Sequence, residues 1–557
     1  MKLVKSLLLG SAAGLFAVAG AQAADLPMTK AAPVEYVKVC AVHGVGFFYI
    51  PGTDTCIKIG GRAQFQYEFA QYRSLNGVDR SNFIGAGRIQ VDARTATAWG
   101  TLRTFIRFDI ASRTGNQHGS TGVFRQWGPN SFNATGIDTA NRANKYVDVD
   151  KAFIQFAGLT AGRASSFYDF YANDIELTGF SITSDVWSTN LLAYTYHFGD
   201  GWSATVSAED PSFRRMPLFS VNPQSAVPGA NLTFAQPTTG NISPSLAALC
   251  TDGGVNGCTY GSPVYLFNAA GDRIGFANVD ISQRQQLPDF VANLRVDQDW
   301  GSAQISAAVH QVSIGGYNNL GVYNNSGVLV SPANVAAAGV YPQRPEAAYG
   351  YAVQGGVKFN LPFLAPGDAL WLQAAYARGA MSYTGVNNPL GYDFSTGAGI
   401  GGGTRFNVYT LDGYVDPNSG DIKLTKSWSA AAAFLHYWSP EWRSGFVFTY
   451  GQLDYPGSAR TAGPLGNLYA NSAGSVTAAS AAAGSTNIAF KSFNEIVTMA
   501  NLVWSPVKDL DIGVEVLYQR IDVKGRVVDN NKYGALTGKT VSFDDNWLTR
   551  FRIDRTF

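Results

Sequence analysis

The sequence predicts an all-β protein, a 16-stranded antiparallel β-barrel that crosses a membrane, with short turns on one side and long loops on the other. Three observations carry this prediction: sixteen segments alternate apolar and polar residues with period two, their connections alternate short and long, and tryptophans gather beside the short ones. Composition agrees. Of 557 residues, 46% are apolar, 13% aromatic and 15% charged, with 61 Gly. A charged fraction below the roughly 25% usual in soluble domains, with so many aromatics and glycines, excludes a disordered chain, a coiled coil and a helical repeat. A formal net charge of +1 argues against a nucleic-acid partner. Beyond about residue 23 no stretch reaches the roughly 18 apolar residues of a membrane-spanning helix, so the chain is either soluble or crosses as strands.

At the N-terminus, Lys2 and Lys5 precede the apolar stretch Leu7 to Ala19 and the small-x-small site Ala21-Gln22-Ala23. Residues 1–23 read as a secretory signal peptide. Its removal takes Lys+Arg from 41 to 39 against 40 Asp+Glu, a mature charge of −1. The compartment beyond is oxidising, and the four cysteines fall into two local pairs, Cys40 with Cys56 and Cys250 with Cys258. Two disulfides are the reading, free buried thiols the alternative; a zinc site is disfavoured. A bridge closing roughly 15 residues stabilises by about 3 kcal/mol in the loop-entropy account, enough to staple the otherwise irregular segment 24–56, read as periplasmic.

The barrel is expected over residues 57–557. In its first segment Ile57, Ile59, Gly61, Ala63, Phe65, Tyr67 and Phe69 alternate with Lys58, Gly60, Arg62, Gln64, Gln66 and Glu68. The second sets Phe83, Gly85, Gly87, Ile89, Val91 and Ala93 against Arg88, Gln90, Asp92 and Arg94, and the third sets Leu102, Thr104, Ile106 and Phe108 against Arg103, Arg107 and Asp109. Strands are expected at 57–70, 83–96, 99–110, 147–157, 159–164, 187–198, 202–209, 288–297, 300–311, 349–360, 368–379, 427–438, 441–451, 494–504, 509–520 and 546–557. Stretches 210–287, 312–348, 380–426 and 452–493 are longer than compact domains tolerate as loops. An outer-membrane barrel produces this asymmetry, with short periplasmic turns and long extracellular loops; a sandwich does not. Trp99, Trp202, Trp300, Trp371, Trp438, Trp442 and Trp504 beside the short turns would form an interfacial girdle. In the last strand Trp547, Phe551, Ile553 and Phe557 share one face and Arg550, Arg552 and Asp554 the other. Its end at Phe557 looks like the signal read by the outer-membrane assembly machinery, with Arg555 where that pattern prefers an aromatic.

The stretches 32–40 (APVEYVKVC), 46–56 (GFFYIPGTDTC) and Gly60-Gly61-Arg62 resemble the general porins of alphaproteobacteria, and Leu159-Thr160-Ala161-Gly162-Arg163 is similar to the family's fifth strand. The resemblance implies a homotrimeric, water-filled pore of sixteen strands whose third extracellular loop folds inward. On that expectation residues 165–186 form the constriction, with Phe167, Tyr168, Phe170 and Tyr171, the acids Asp169, Asp174, Glu176 and Asp185, and no Arg or Lys. Lys58, Arg62, Arg88, Arg94, Arg103, Arg107 and Arg163 are assigned to the pore wall, because Arg or Lys facing lipid at the bilayer midplane costs about 2 to 4 kcal/mol. Acids opposite bases would set a transverse field across the path. The alternative is that wall salt bridges neutralise these charges.

The chemistry of an enzyme is not legible. His43, His118, His197, His310 and His436 are scattered and no nucleophile motif accompanies them. Gly397, Gly399 and Gly402 match a dinucleotide fingerprint in spacing, but lie in a Gly-rich loop that opens no helix. No cofactor or metal is therefore expected. The sequence points to a porin of the bacterial outer membrane for passive diffusion of small hydrophilic solutes and ions, surrounded by outer-membrane lipid and lipopolysaccharide. A substrate-specific channel is the alternative, a surface adhesin a third. The near-neutral charge count leaves the sign of ion preference open.

Overall fold

The computed structural model describes residues 38–71, 80–114, 136–137, 144–177, 179, 181–186, 188–216, 218–221, 264–267, 273–280, 286–313, 322–323, 329–330, 346–386, 410–415, 421–457, 469–470, 476–477, 486–487, 491–528 and 539–557. The expected signal peptide and the Cys250 and Cys258 pair lie outside them. The chain divides into two units, Met1–Ile57 and Lys58–Phe557.

In the first unit Cys40 and Cys56 form a disulfide with their Cα atoms 6.0 Å apart. Phe47 is buried against both half-cystines, with Tyr49 packed alongside. Lys38 lies 5.2 Å from the centre of the Tyr49 ring. His43 sits beside the two sulfurs, which their mutual bond removes as metal ligands.

The second unit is a closed antiparallel barrel of sixteen strands. They are β1 (Thr55–Gln71), β2 (Ser81–Thr97), β3 (Gly100–Thr114), β4 (Asn144–Phe156), β5 (Leu159–Ala164), β6 (Thr189–Gly199), β7 (Trp202–Glu209) and β8 (Asp289–Gln298). There follow β9 (Gly301–Val312), β10 (Ala348–Asn360), β11 (Ala369–Arg378), β12 (Lys426–Tyr437), β13 (Trp442–Asp454), β14 (Phe493–Val507), β15 (Leu510–Val528) and β16 (Thr540–Thr556). Each strand pairs with its neighbours in sequence, and β16 closes on β1 from Arg62↔Thr556 to Gln71↔Trp547. Closure leaves the barrel without an edge, which hydrocarbon requires. Each of the sixteen expected strands is present; β15 and β16 extend further toward the long loops than their alternation suggested.

The short turns depend on left-handed backbone. Ala157 and Gly158 take φ of 50° and 86°, the pairing a two-residue hairpin needs to match strand twist. A Cβ on Gly158 would come within 2.6 Å of the Thr195 carbonyl oxygen, so glycine is required there on two counts.

Side chains alternate as the register demands. Ala63, Phe65 and Phe69 of β1 point outward while Gln64, Gln66 and Glu68 point in. The outward surface is apolar over its middle, with Ile89 54% and Ile305 67% exposed, a surface that only lipid or another subunit can cover favourably. Trp99, Trp202, Trp300, Trp438 and Trp442 are exposed beside the short turns, and Trp442 stacks on Trp504 at 5.7 Å. Trp371 departs from the expected girdle. It shares the inward face of β11 with Gln373 and packs against Tyr171 at 5.8 Å between ring centres, because the apolar loop residues inside need a partner there.

Candidate functional site

The connection between β5 and β6, residues 165–188 (L3 below), runs across the barrel interior and is held by nine strands. Beginning at its root, the Phe167 amide donates to Glu209 of β7 at 3.1 Å, and Asn293 of β8 donates to the Phe167 carbonyl at 2.6 Å. Gln304 of β9 and Gln354 of β10 donate to the Tyr168 carbonyl at 3.3 and 3.0 Å, and the Tyr171 amide donates to Gln373 of β11 at 2.9 Å. Further on, Ile182 donates to Thr449 of β13, Asn501 of β14 donates to the Ile175 carbonyl, and Leu177 donates to Glu515 of β15. Arg550 and Arg552 of β16 both donate to the Leu177 carbonyl. An inserted segment would otherwise bury its peptide groups unpaired, so these wall amides and charges are the reason it can lie there.

Glycines on the inward faces of the strands make room for it. A Cβ on Gly356 would approach Phe170 to 2.3 Å, one on Gly451 would approach Ile182 to 2.8 Å, and one on Gly513 would approach Leu177 to 3.0 Å. Around the loop, the inward faces of β13, β14 and β15 carry Leu453, Val497, Met499, Leu517 and Ile521, forming a packed core with Tyr171 and Ile182.

Two other connections complete the packing. The segment after β7 supplies Arg214, 2% exposed, which pairs with Asp169 at 2.7 Å and donates to the Ser184 hydroxyl at 2.9 Å. Its guanidinium lies 4.1 Å from the centre of the Tyr383 ring, which belongs to a 3-10 turn, Met381–Thr384, after β11. Asp412 accepts the amides of Met216 and Met381 at 2.7 and 2.8 Å and so ties both connections together. Leu218–Val221 and Gly413–Val415 pair in a small separate sheet.

The four acids assigned to the constriction behave differently. Asp169 is a strut, bound to Arg214, Ser184 and the Val186 amide. Glu176 is buried and accepts from Ser181; burial lifts its carboxyl to about 7. Asp185 accepts from Asn173 at 2.7 Å, and burial together with the nearby Asp169 lifts it to about 7 as well. Asp174 is the exposed one, yet desolvation within the barrel still raises its carboxyl against the pull of Lys358 and Arg295 of the wall.

Of the seven assigned bases, Lys58, Arg62, Arg88, Arg94, Arg103 and Arg107 lie on inward faces. Five have wall carboxylates as partners. Arg88 forms a double contact with Asp109, both at 2.6 Å; Arg94 and Arg103 share Asp92; Arg107 pairs with Asp150; Arg62 lies 3.6 Å from Asp554. The wall is thus a row of lateral ion pairs rather than bare cations. Arg163 does not join it. It shares the outward face of β5 with Leu159, donates to the Val149 carbonyl at 2.6 Å and lies over the Phe213 ring. It stands one residue from the loop end of a six-residue strand, away from the midplane where the cost to a lipid-facing Arg applies.

Three bases that carry the site were not assigned from sequence: Arg214, Arg550 and Arg552. The alternation of β16 contained the signal for the last two, whereas Arg214 lies in a connection without periodicity. Lys151 was a fourth; it donates to Ser165 and Ser188 at the two roots of L3.

Residues 25–544 match the family described as the Porin subfamily. Porin Omp2b of Brucella suis and of Brucella abortus are each 34% identical to the chain over 214 residues, 37% of this chain; the match spans about half, 54%, of their length. Among solved structures, the outer membrane channel DcaP of Acinetobacter baumannii aligns over 91% of this chain and 99% of its own at 12% identity, with a TM-score of 0.48. The OmpF of Salmonella typhi aligns over 91% and 99% at 9% identity, with a TM-score of 0.38.

Proposed function

Since the chain belongs to the Porin subfamily, we propose that it is a channel of the bacterial outer membrane, water-filled, through which small hydrophilic solutes and ions diffuse passively. The observation that carries the reading is the crossing of a closed barrel by a segment hydrogen-bonded to nine of its strands, which narrows the path. L3 acts as the constriction. Asp174 is its charged group in the path; Asp169, Glu176 and Asp185 hold its shape. On the wall, Arg62, Arg88, Arg94, Arg103 and Arg107 keep their charges ordered through Asp92, Asp109, Asp150 and Asp554, so the lumen presents dipoles along its wall more than a net charge of one sign. Such a surface favours hydrated, polar solutes over apolar ones.

Three copies assemble through the outward faces of β1 and β2, where Ala63, Gly85, Gly87 and Ala93 permit close approach of neighbours. Native mass measurement in detergent then returns three chains per particle. Purified protein added to a planar bilayer should give stepwise currents that scale with salt, and vesicles carrying it should swell in small sugars and not in large ones. Membranes that stay non-conducting after verified insertion would overturn the reading.

A further inference from the structure

The inner surface of a water-filled barrel is ordinarily polar, yet the inward faces of β3 and β4 carry Phe105 and Phe153 as cross-strand partners, their rings stacked at 5.3 Å between centres and 26° apart. Arg103 lies over both, its guanidinium carbon 5.1 Å from one ring centre and 5.4 Å from the other. Three of its five N–H groups are engaged: Nε and Nη2 donate to Asp92 at 3.0 Å, and Nη1 donates to Gln155 at 3.0 Å. These contacts lock the plane of the fork and, among the described residues, leave one N–H on each terminal nitrogen without an acceptor. Asp92 also serves Arg94, the cross-strand partner of Arg103, so one carboxylate is divided between two guanidiniums. One inward step nearer the long loops, Arg107 stands opposite Lys151. The rings therefore lie between two cationic rows, each about 7 Å away along the strand. Phe105 is buried, whereas Phe153 is half-buried and Arg103 is 27% exposed, both toward the lumen. A sugar could stack on the rings but would leave the cations unused, and an aliphatic acid would use the cations but not the rings. A flat ring that carries a carboxylate uses both.

We propose that Arg103, Phe105 and Phe153 form a subsite of the lumen for aromatic carboxylates, the solute's ring against Phe153 and its carboxylate on the two open N–H groups of Arg103. The guanidinium is already held over the ring pair, so the solute meets a preorganised cation and an aromatic surface in one pose. With cationic rows on both sides of the rings, a solute moving down the wall passes its carboxylate from Arg107 to Arg103 while its ring crosses the aromatic step. Phe153 also packs against Ala164, Leu191 and Ala193 beside Phe167 of the L3 root. That packing asks only for an apolar side chain, whereas stacking asks for a ring, and the two roles separate on this difference. The inference rests on the channel reading above and narrows it to a class of solute.

The test reads single-channel current blocks of the full-length protein in a planar bilayer at low salt. Three probes are compared: benzoate, cyclohexanecarboxylate, which has the charge without the flat ring, and benzamide, which has the ring without the charge. Benzoate should block the wild type at a concentration at least about threefold lower than cyclohexanecarboxylate, the share of an aromatic contact. It should block at a concentration at least about tenfold lower than benzamide, the share of one charge-assisted contact. Phe153→Leu, which keeps an apolar side chain against Ala164 and Leu191, should erase the first difference, and Phe153→Tyr should keep it. Arg103→Gln should erase the second. Equal block of the wild type by the two acids overturns the proposal, as does equal block by benzoate and benzamide, or a Phe153→Leu channel that still prefers benzoate. If Phe153→Leu does not insert, Phe153→Tyr and Arg103→Gln decide: loss of the preference in the first, or its survival against benzamide in the second, overturns the proposal. A protein that conducts but shows no preference refutes the subsite alone, while one that never conducts refutes the channel.

Discussion

Replacing Arg214 by Ala should undock L3 while leaving the barrel standing. The guanidinium is buried, 2.7 Å from Asp169, and also holds Ser184 and covers the Tyr383 ring. Without it the Asp169 carboxylate, itself 7% exposed, stays buried with no cation, next to an Asp185 that its charge already perturbs. Breaking a buried pair by removing one member typically costs about 3 to 5 kcal/mol. The barrel ladder does not pass through Arg214, so this cost falls on the docking of L3, and at about 1.4 kcal/mol per tenfold even the lower figure multiplies the undocked population more than about 100-fold. Single-channel records should therefore change from a steady open level to flicker between that level and a wider one. Adding Asp169→Asn removes the orphaned charge and should recover most of the steady level, which makes the pair a double-mutant cycle. If Arg214→Ala conducts as quietly as wild type in a barrel shown to be folded, Arg214 does not lock the loop. If Asp169→Asn rescues nothing, the loss is one of packing against Tyr383 and not of charge.

Asp174→Asn should shift the reversal potential in a salt gradient toward anions, and Glu176→Gln should leave it in place because that carboxyl is buried against Ser181; the Asp174 shift should shrink near 1 M salt, where the screening length falls to about 3 Å. Glu176 and Asp185, ordinarily at 4.5 and 3.8 and each lifted to about 7 by burial, favour docking when protonated. Their contribution is full below about pH 4 and is lost as pH rises to about 7, so current noise should grow across that window and level off above it; noise that falls with rising pH would reverse the assignment. Gly356→Leu should raise conductance, because its side chain enters the space of Phe170 and displaces the loop at that seat; unchanged conductance would show that the seat does not matter.

The strands were legible because lipid on one side and a lumen on the other impose alternation residue by residue, as in Ile57 to Phe69. Where the inner side is also apolar, alternation fades. Val497 and Met499 face inward onto L3 while Ile496 and Leu502 face out, so β14 reads as nearly continuous hydrophobicity and its inner partners were hidden. Trp371 shows the same limit, since proximity to a short turn says nothing about which face a ring takes. The loop's acids could be identified but not sorted. Whether Asp174 or Glu176 meets water depends on contacts with Ser181, Asn173 and Arg214, and the last is contributed by a connection with no repeat or motif to mark it. Arg163 was misplaced by applying a midplane cost to a residue at the rim.

The Leu177 carbonyl has its partners on β16, in Arg550, 373 positions later in the chain, and in Arg552. L3 is therefore synthesised long before the strand that fastens its tip. During insertion the barrel has to close around a segment that β16 does not yet hold, and the seam of β16 on β1 brings the last of these partners to L3. Nascent barrels would then leak before they discriminate. The rate at which that seam closes would then set how long L3 stays unfastened; pulse proteolysis of L3 during folding into vesicles should find it cleavable until the seam is protected, and early protection would break this link.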